Sequence, residues 1–153
     1  MIDIEIRRAL PEEAETLTAI AIAAKAHWGY PASWMRIWKP ELTYHPADVE
    51  RSDIWAAILD NSLIGFYTLR ERDGNAWLED LWVIPAQMGN GVGRALFDHA
   101  RRLSKERGYQ FMRWESDPNA VGFYLKMGAH QTGERHSNVE GQPRILPIME
   151  LNV

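Results

Sequence analysis

The sequence predicts an α+β domain: a mixed, mostly antiparallel central sheet of about six to seven strands with helices on both faces. Three observations predict it. Between Ile54 and Ile84, three apolar stretches follow one another with only short turn signals between them, the pattern of an antiparallel meander. The meander runs into a glycine-rich stretch and a long amphipathic helix. Strand and helix signals then alternate to the end of the chain, so the sheet takes a helical crossover and is not purely antiparallel. At 153 residues, without a repeat or a linker, residues 1–153 read as a single domain.

The elements follow in order. "IDIEIR" alternates apolar and polar residues, as a half-buried strand does. "LPEEAETLTAIAIAAKAHW" reads as a helix. Pro11 suits its first turn, Glu12 and Glu13 suit the positive end of its dipole, and Ala14, Leu17, Ala21 and Ala24 form its apolar stripe. Residues 28–52 carry prolines at 31, 40 and 46 and leave room for one or two short helices. "DIWAAILD" is a strand, "NS" a tight turn, "LIGFYTLRER" a strand, "DGN" a hairpin turn and "AWLEDLWVI" a strand. A helix runs from about Val92 to Arg107, with a stripe of Val92, Leu96, Ala100 and Leu103, a basic end, and Gly108 as its stop. "YQFMRWE" is a strand and "DPNAVGFYLKM" a helix stopped by Gly128. "AHQTGE" and "RILPIMEL" close the sheet, with Arg135–Arg144 as a loop between them.

Composition excludes several classes. The net charge of −4 disfavours a phosphate backbone as partner, so no nucleic acid is expected. With no cysteine there is no disulfide, thiolate zinc site or cysteine nucleophile, and the five histidines show no metal spacing, so no metal is expected. The longest apolar run, Ala19–Ala24, is far too short to span a bilayer, and the N-terminus lacks the apolar core of a signal peptide. A cytoplasmic protein without a membrane partner is the expectation, with room for a homodimer.

"VIPAQMGNGVGRALFDHA" places Gly89, Gly91 and Gly93 at alternate positions between a strand and a helix. Such glycines expose successive backbone N–H groups at a positive helix end, an anion site most natural for phosphate. A tight turn that needs glycine for steric fit is the plainer alternative. A P-loop requires Gly-Lys-Ser/Thr at the end of the run, but Arg94 and Ala95 follow Gly93. A dinucleotide fingerprint requires G-x-G-x-x-G after the first strand of a parallel unit, and neither condition is met.

"LEDLWVIPAQMGNGVGRALFDHARRLSKERGY" resembles the central motif of the GNAT superfamily of acyl-CoA-dependent N-acyltransferases, Gln/Arg-x-x-Gly-x-Gly/Ala after a strand and a proline. Met88, Gly89, Asn90, Gly91, Val92 and Gly93 fall on it, with Met88 where Gln or Arg is usual and Gln87 one residue early. A second block, "NAVGFYLKMGA", is similar to the family's Ala-x-x-apolar-Tyr-x-x-x-Gly helix, with Ala120, Phe123, Tyr124 and Gly128 in register. Asp117 stands where the family has Asn, with Asn119 nearby to take over its contact. The likeness is good over about residues 54–151 and follows element order alone in the N-terminal third.

The resemblance implies an N-acetyltransferase that passes an acetyl group from acetyl-CoA to a primary amine by direct attack. It implies that the pantetheine arm pairs with the backbone of Leu81, Trp82 and Val83, and that the pyrophosphate lies on N–H groups from about Met88 to Arg94. It implies that Tyr124 is the acid that protonates the leaving thiolate. An alkyl amine, with a pKa of roughly 10, also has to lose a proton. Glu79 is the first candidate base, on the same strand face as Trp77, Leu81 and Val83; Glu115 and Asp80 follow, and a water chain without a dedicated base is a further route. His27, Trp28, Tyr30 and Trp34 are candidates for an aromatic box around the amine, although Trp34 and Trp38 also have ordinary helical core spacing. The rival readings are a catalytically idle acyl-CoA sensor, an enzyme using another acyl-CoA, and an acyltransferase acting on a protein N-terminus or lysine.

Overall fold

The computed structural model describes residues 3–153. The chain runs β1 (Glu5–Arg8), a short turn of 3-10 helix (Pro11–Glu13), α1 (Ala14–Ala26), α2 (Ala32–Trp38), α3 (Pro46–Arg51), β2 (Asp53–Leu59), β3 (Ser62–Arg72), β4 (Asn75–Val83), α4 (Val92–Glu106), β5 (Phe111–Glu115), α5 (Val121–Lys126), β6 (His130–Val139) and β7 (Gln142–Asn152). The seven strands form one sheet in the order β1-β2-β3-β4-β5-β7-β6. Among the described residues, the parallel pair is β4 with β5, through Ala76 with Met112 and Trp77 with Arg113, because α4 is the crossover between them. The predicted mixed, mostly antiparallel sheet is the one observed.

The chain divides into two compact units, one comprising the chain up to Leu69 with Asp80–Ala100, the other Arg70–Glu79 with Arg101–Val153. In the first, the apolar stripe of α1 is buried as expected, with Ile20 added to Ala14, Leu17, Ala21 and Ala24. β2 and β3 supply Ile54, Ala56, Phe66 and Tyr67 to the same interior, and α4 adds Val92, Leu96, Phe97 and Ala100. In the second, Met112 and Trp114 of β5 are buried with Met149 and Leu151 of β7. Ser104, not Leu103, continues the fully buried row of α4, since a step of four from Ala100 keeps to the same helix face.

Three hairpins turn through two residues with positive φ: Asp60–Asn61 (50° and 64°), Asp73–Gly74 (51° and 78°) and Glu140–Gly141 (50° and 79°). That backbone matches the twist of the flanking strands. The first turn lies one residue earlier than "NS" suggests, and Ser62 already pairs with Leu59. The third corrects the loop expected over Arg135–Arg144. That stretch is a hairpin in continuous register from Arg135 opposite Leu146 to Val139 opposite Gln142. Its polar residues and Pro143 hide the strands, because β6 is an edge strand with largely exposed side chains.

Candidate active site

Gly89 and Gly91 have φ of 82° and 85°, and a side chain on either would meet nothing within 4 Å. They are glycine because the backbone is left-handed there, with open space beside it. Pro85 O takes the Met88 N–H at 3.2 Å and Gln87 O takes the Asn90 N–H at 3.3 Å. The Gln87 amide oxygen accepts from Asn90 Nδ2 at 3.1 Å, so Gln87 ties the loop together. Among the described residues, the first α4 amide with a backbone acceptor is that of Ala95, which donates to Gly91 O at 3.0 Å. Among the described residues, the amides of Gly89, Gly91, Val92, Gly93 and Arg94 have no backbone acceptor. The expected cradle of Met88–Arg94 therefore loses Met88 and Asn90 as donors, and keeps a run of open N–H groups at the start of a 15-residue helix.

Leu81, Trp82 and Val83 end β4. Gly65 of β3 is pressed against them: a Cβ there would lie 2.8 Å from Trp82 O and 3.4 Å from the Val83 Cα. The Trp82 indole N–H is buried and has no hydrogen-bond partner. An acyl-CoA suits these features. It offers amide and carbonyl groups to an extended strand and an orphaned donor, and phosphates to open amides.

Lys25 lies half-buried near the end of α1, among aromatic rings. Its Nζ is 4.2 Å from the Trp38 centroid, 5.4 Å from that of Tyr30 and 5.9 Å from that of Trp82. Tyr30 meets Trp38 edge-on at 4.9 Å and stacks on Trp34 at 5.9 Å. Of the four residues expected to form an aromatic box, Tyr30 and Trp34 cluster with Trp38, and Trp82 joins Tyr30 and Trp38 around Lys25. His27 and Trp28 pair with each other at 5.7 Å, and both are exposed. Sequence spacing places Trp34 and Trp38 on one helix face, but the contribution of Trp82 from β4 has no local signal.

The carboxylates separate clearly. Asp80 accepts a 2.6 Å hydrogen bond from the Tyr44 hydroxyl. Tyr44 is held by its backbone N–H to Thr18 Oγ1 at 2.8 Å and by an edge-on contact with Phe66 at 5.3 Å. Glu79 pairs with Arg72 at 3.5 Å, while the Arg72 guanidinium lies 4.0 Å over Trp77. In the second unit Glu115 pairs with Arg135 at 2.9 Å, and Asp117 with Arg144 at 3.1 Å, the latter pair about nine-tenths buried. The segment Arg135–Arg144 therefore neutralises two carboxylates from its two ends. Asp117 also caps the turn before α5, accepting from the Asn119 backbone N–H at 2.9 Å and its Nδ2 at 3.0 Å. Asn119 is thereby held by Asp117. Tyr124 is buried, its ring 4.8 Å from Trp114 and 5.1 Å from Phe123. Among the described residues no group of His, Asp or Glu has the arrangement to hold a metal ion, and no helix is long and apolar enough to cross a membrane.

Comparison with known proteins gives concordant results. The model of the acetyltransferase (GNAT) family matches residues 19–129. The peptidyl-lysine N-acetyltransferase YjaB of Salmonella typhimurium is 31% identical over 150 residues, covering 97% of both chains. Its namesake from Escherichia coli is 29% identical over 150 residues, 97% of this chain and 95% of that protein. Among solved structures, a GCN5-related N-acetyltransferase of Rhodopseudomonas palustris aligns with a TM-score of 0.85 at 21% identity, over 100% of this chain and 98% of that one. The PaiA N-acetyltransferase of Thermoplasma acidophilum, in complex with coenzyme A, aligns at 0.77 and 25% identity, over 99% of this chain and 100% of that one.

Proposed function

The chain belongs to the acetyltransferase (GNAT) family, an acyltransferase that uses acetyl-CoA, and we propose that its acceptor is the side-chain amine of a lysine in a peptide or protein. One observation carries this reading: a lysine ammonium already lies among the rings of Tyr30, Trp38 and Trp82, so an alkylammonium on a flexible aliphatic stem fits there. The names of the two YjaB relatives point the same way. We place the reaction in the cytoplasm, in one acyltransferase domain.

Acetyl-CoA supplies the activated acyl group and a thiolate leaving group. The open amides of Gly89 and of Gly91–Arg94 hold its pyrophosphate, and the backbone of Leu81, Trp82 and Val83 orients its arm. The rings hold the acceptor ammonium, and the Asp80–Tyr44 pair takes up the proton that the amine must lose before attack. We favour Asp80 over Glu79 and Glu115 because it accepts from a hydroxyl, which relays a proton, whereas the other two carboxylates are bonded to arginine. Tyr124 gives a proton to the departing sulfur.

The test is release of CoA thiol from acetyl-CoA in the presence of blocked peptides. The protein has no cysteine and adds no thiol of its own. Release is expected with an N-terminally blocked lysine peptide and not with the same peptide carrying arginine. Release that requires a free α-amine instead refutes the lysine reading, and tight acetyl-CoA binding without release to any amine identifies a sensor.

A further inference from the structure

The rings that suit an acceptor lysine hold one of the protein's own. Lys25 is half-buried, whereas the other lysines, Lys39, Lys105 and Lys126, are exposed. Its ammonium is within about 6 Å of three ring centroids, the range in which a ring face attracts a cation. One of those rings belongs to Trp82, whose backbone is proposed to pair with the pantetheine arm and whose buried indole N–H has no partner. The same residue therefore borders both the amine and the path assigned to the thioester, within one compact unit.

We propose that Lys25 is an acceptor in its own right: the chain acetylates Lys25 Nζ in cis, and this modification clears the ring cage for an external lysine. The inference rests on the acetyl transfer proposed above. The Lys25 ammonium first yields one proton to solvent. Its lone pair then forms the N–C bond to the thioester carbonyl, and the C–S bond breaks with its electron pair on sulfur. The second proton lost from nitrogen ends on the CoA thiolate, so the products are Nζ-acetyl-Lys25, CoA thiol and one proton. Tethering replaces an encounter between two molecules by a rearrangement within one, which favours this step over acetylation of a free amine. The acetylated side chain is neutral, loses its attraction to the rings, and leaves them to an incoming ammonium.

The experiment follows acetyl occupancy at all four lysines by peptide mass spectrometry after the full chain is mixed with acetyl-CoA, across a wide range of protein concentration. Spontaneous acetylation follows exposure and favours Lys39, Lys105 and Lys126. Cis transfer reverses that order: Lys25 is labelled at least about tenfold faster than the others, with a rate constant independent of protein concentration. In the chain unfolded in urea the preference disappears. Lys25 lagging behind the exposed lysines, or a rate that rises with protein concentration, overturns the proposal while an external lysine peptide is still acetylated. Failure to acetylate Lys25 and every peptide alike instead removes the underlying acceptor reading, and the proposal with it. As a second measurement, the parent shows a lag in acetylation of the external lysine peptide that ends as Lys25 becomes acetylated, and Lys25→Met, which never places a cation in the cage, shows no lag. The same time course in parent and variant, with an unchanged melting temperature, overturns the proposal.

Discussion

Gly65→Ala tests the way β4 is held. Gly65 lies opposite Ala57, beside the irregularity between Ala57 and Ile58 of β2. A methyl group there would sit 2.8 Å from Trp82 O, 3.2 Å from Leu96 Cδ1 and 3.4 Å from the Val83 Cα. Leu96 can rotate away, but the other two atoms are backbone, so β4 has to retreat by several tenths of an ångström at the residues proposed to pair with acetyl-CoA. Overpacking of this kind costs about 1–3 kcal/mol. It is offset by at most about 1 kcal/mol, because alanine restricts the unfolded chain more than glycine does. For a chain of this size the melting temperature moves by roughly 2–4 °C for each kcal/mol. Gly133→Ala is the matched control, since its methyl meets only the tip of Ile148, Cδ1, at 3.7 Å. Urea denaturation of both variants, with acetyl-CoA KM measured below the transition, is the assay. The offset is common to both variants and cancels, so Gly65→Ala is expected to be less stable than its control by about 1–3 kcal/mol, and to have a raised KM. Equal stability of the two variants, with KM unchanged, would refute both the close approach and the role given to the Trp82–Val83 edge.

The remaining predictions concern the cradle, the acid, the base and one surface ion pair. Gly91→Val forces a branched residue to a φ of 85°, at about 1–2 kcal/mol, and removes acetyl-CoA binding by calorimetry in a chain that still folds; retained binding would end the phosphate-cradle argument. Tyr124→Phe is expected to lower kcat by about a hundredfold or more while the KM for acetyl-CoA changes little, and an equal loss of affinity recasts Tyr124 as a binding residue. Asp80→Asn is expected to reduce kcat/KM by about a hundredfold and Glu79→Gln by no more than a few-fold; the opposite order returns the base to Glu79. Arg7 forms a two-pronged pair with Glu13 at 2.9 Å, and this bond, more than the one from the Leu10 N–H, holds the Glu13 carboxyl below its usual pKa. A depressed carboxyl stabilises the fold above its unfolded pKa and loses that contribution as pH falls through the folded one. Arg7→Met therefore costs up to about 1 kcal/mol near neutral pH, and its denaturation midpoint converges with that of the parent in acid.

Local pattern carried the reading wherever one face of an element is buried. The stripe of α1 and the three-strand meander were legible because burial imposes periods of 3.6 and 2 on the sequence. The hairpin β6–β7 was not, because its outer strand is an exposed edge with no buried face to impose alternation, and Pro143 and Pro147 look like breaks. Nothing around Gly65 marks it either: it interrupts an apolar run, and its reason lies in a strand seventeen residues further on.

The site divides along the same line. Gly89 and Gly91 announce themselves because a left-handed backbone is a local demand that only glycine meets cheaply. Which carboxylate is held by arginine and which by a hydroxyl is decided by partners distant in sequence: Arg135 for Glu115 and Tyr44 for Asp80. Counting strand faces alone favoured Glu79, yet the partner determines the chemistry more than the face does. An arginine occupies a carboxylate's oxygens with its own N–H donors, whereas a tyrosine hydroxyl can hand a proton on. The aromatic cage makes the point most directly. "HWGYPASWMRIW" announces rings, but a strand residue, Trp82, completes the enclosure, and its occupant comes from the preceding helix. A cluster that reads as an empty substrate box in sequence is a box with a tethered lysine in the fold. The chemistry expected of an incoming amine applies first to Lys25.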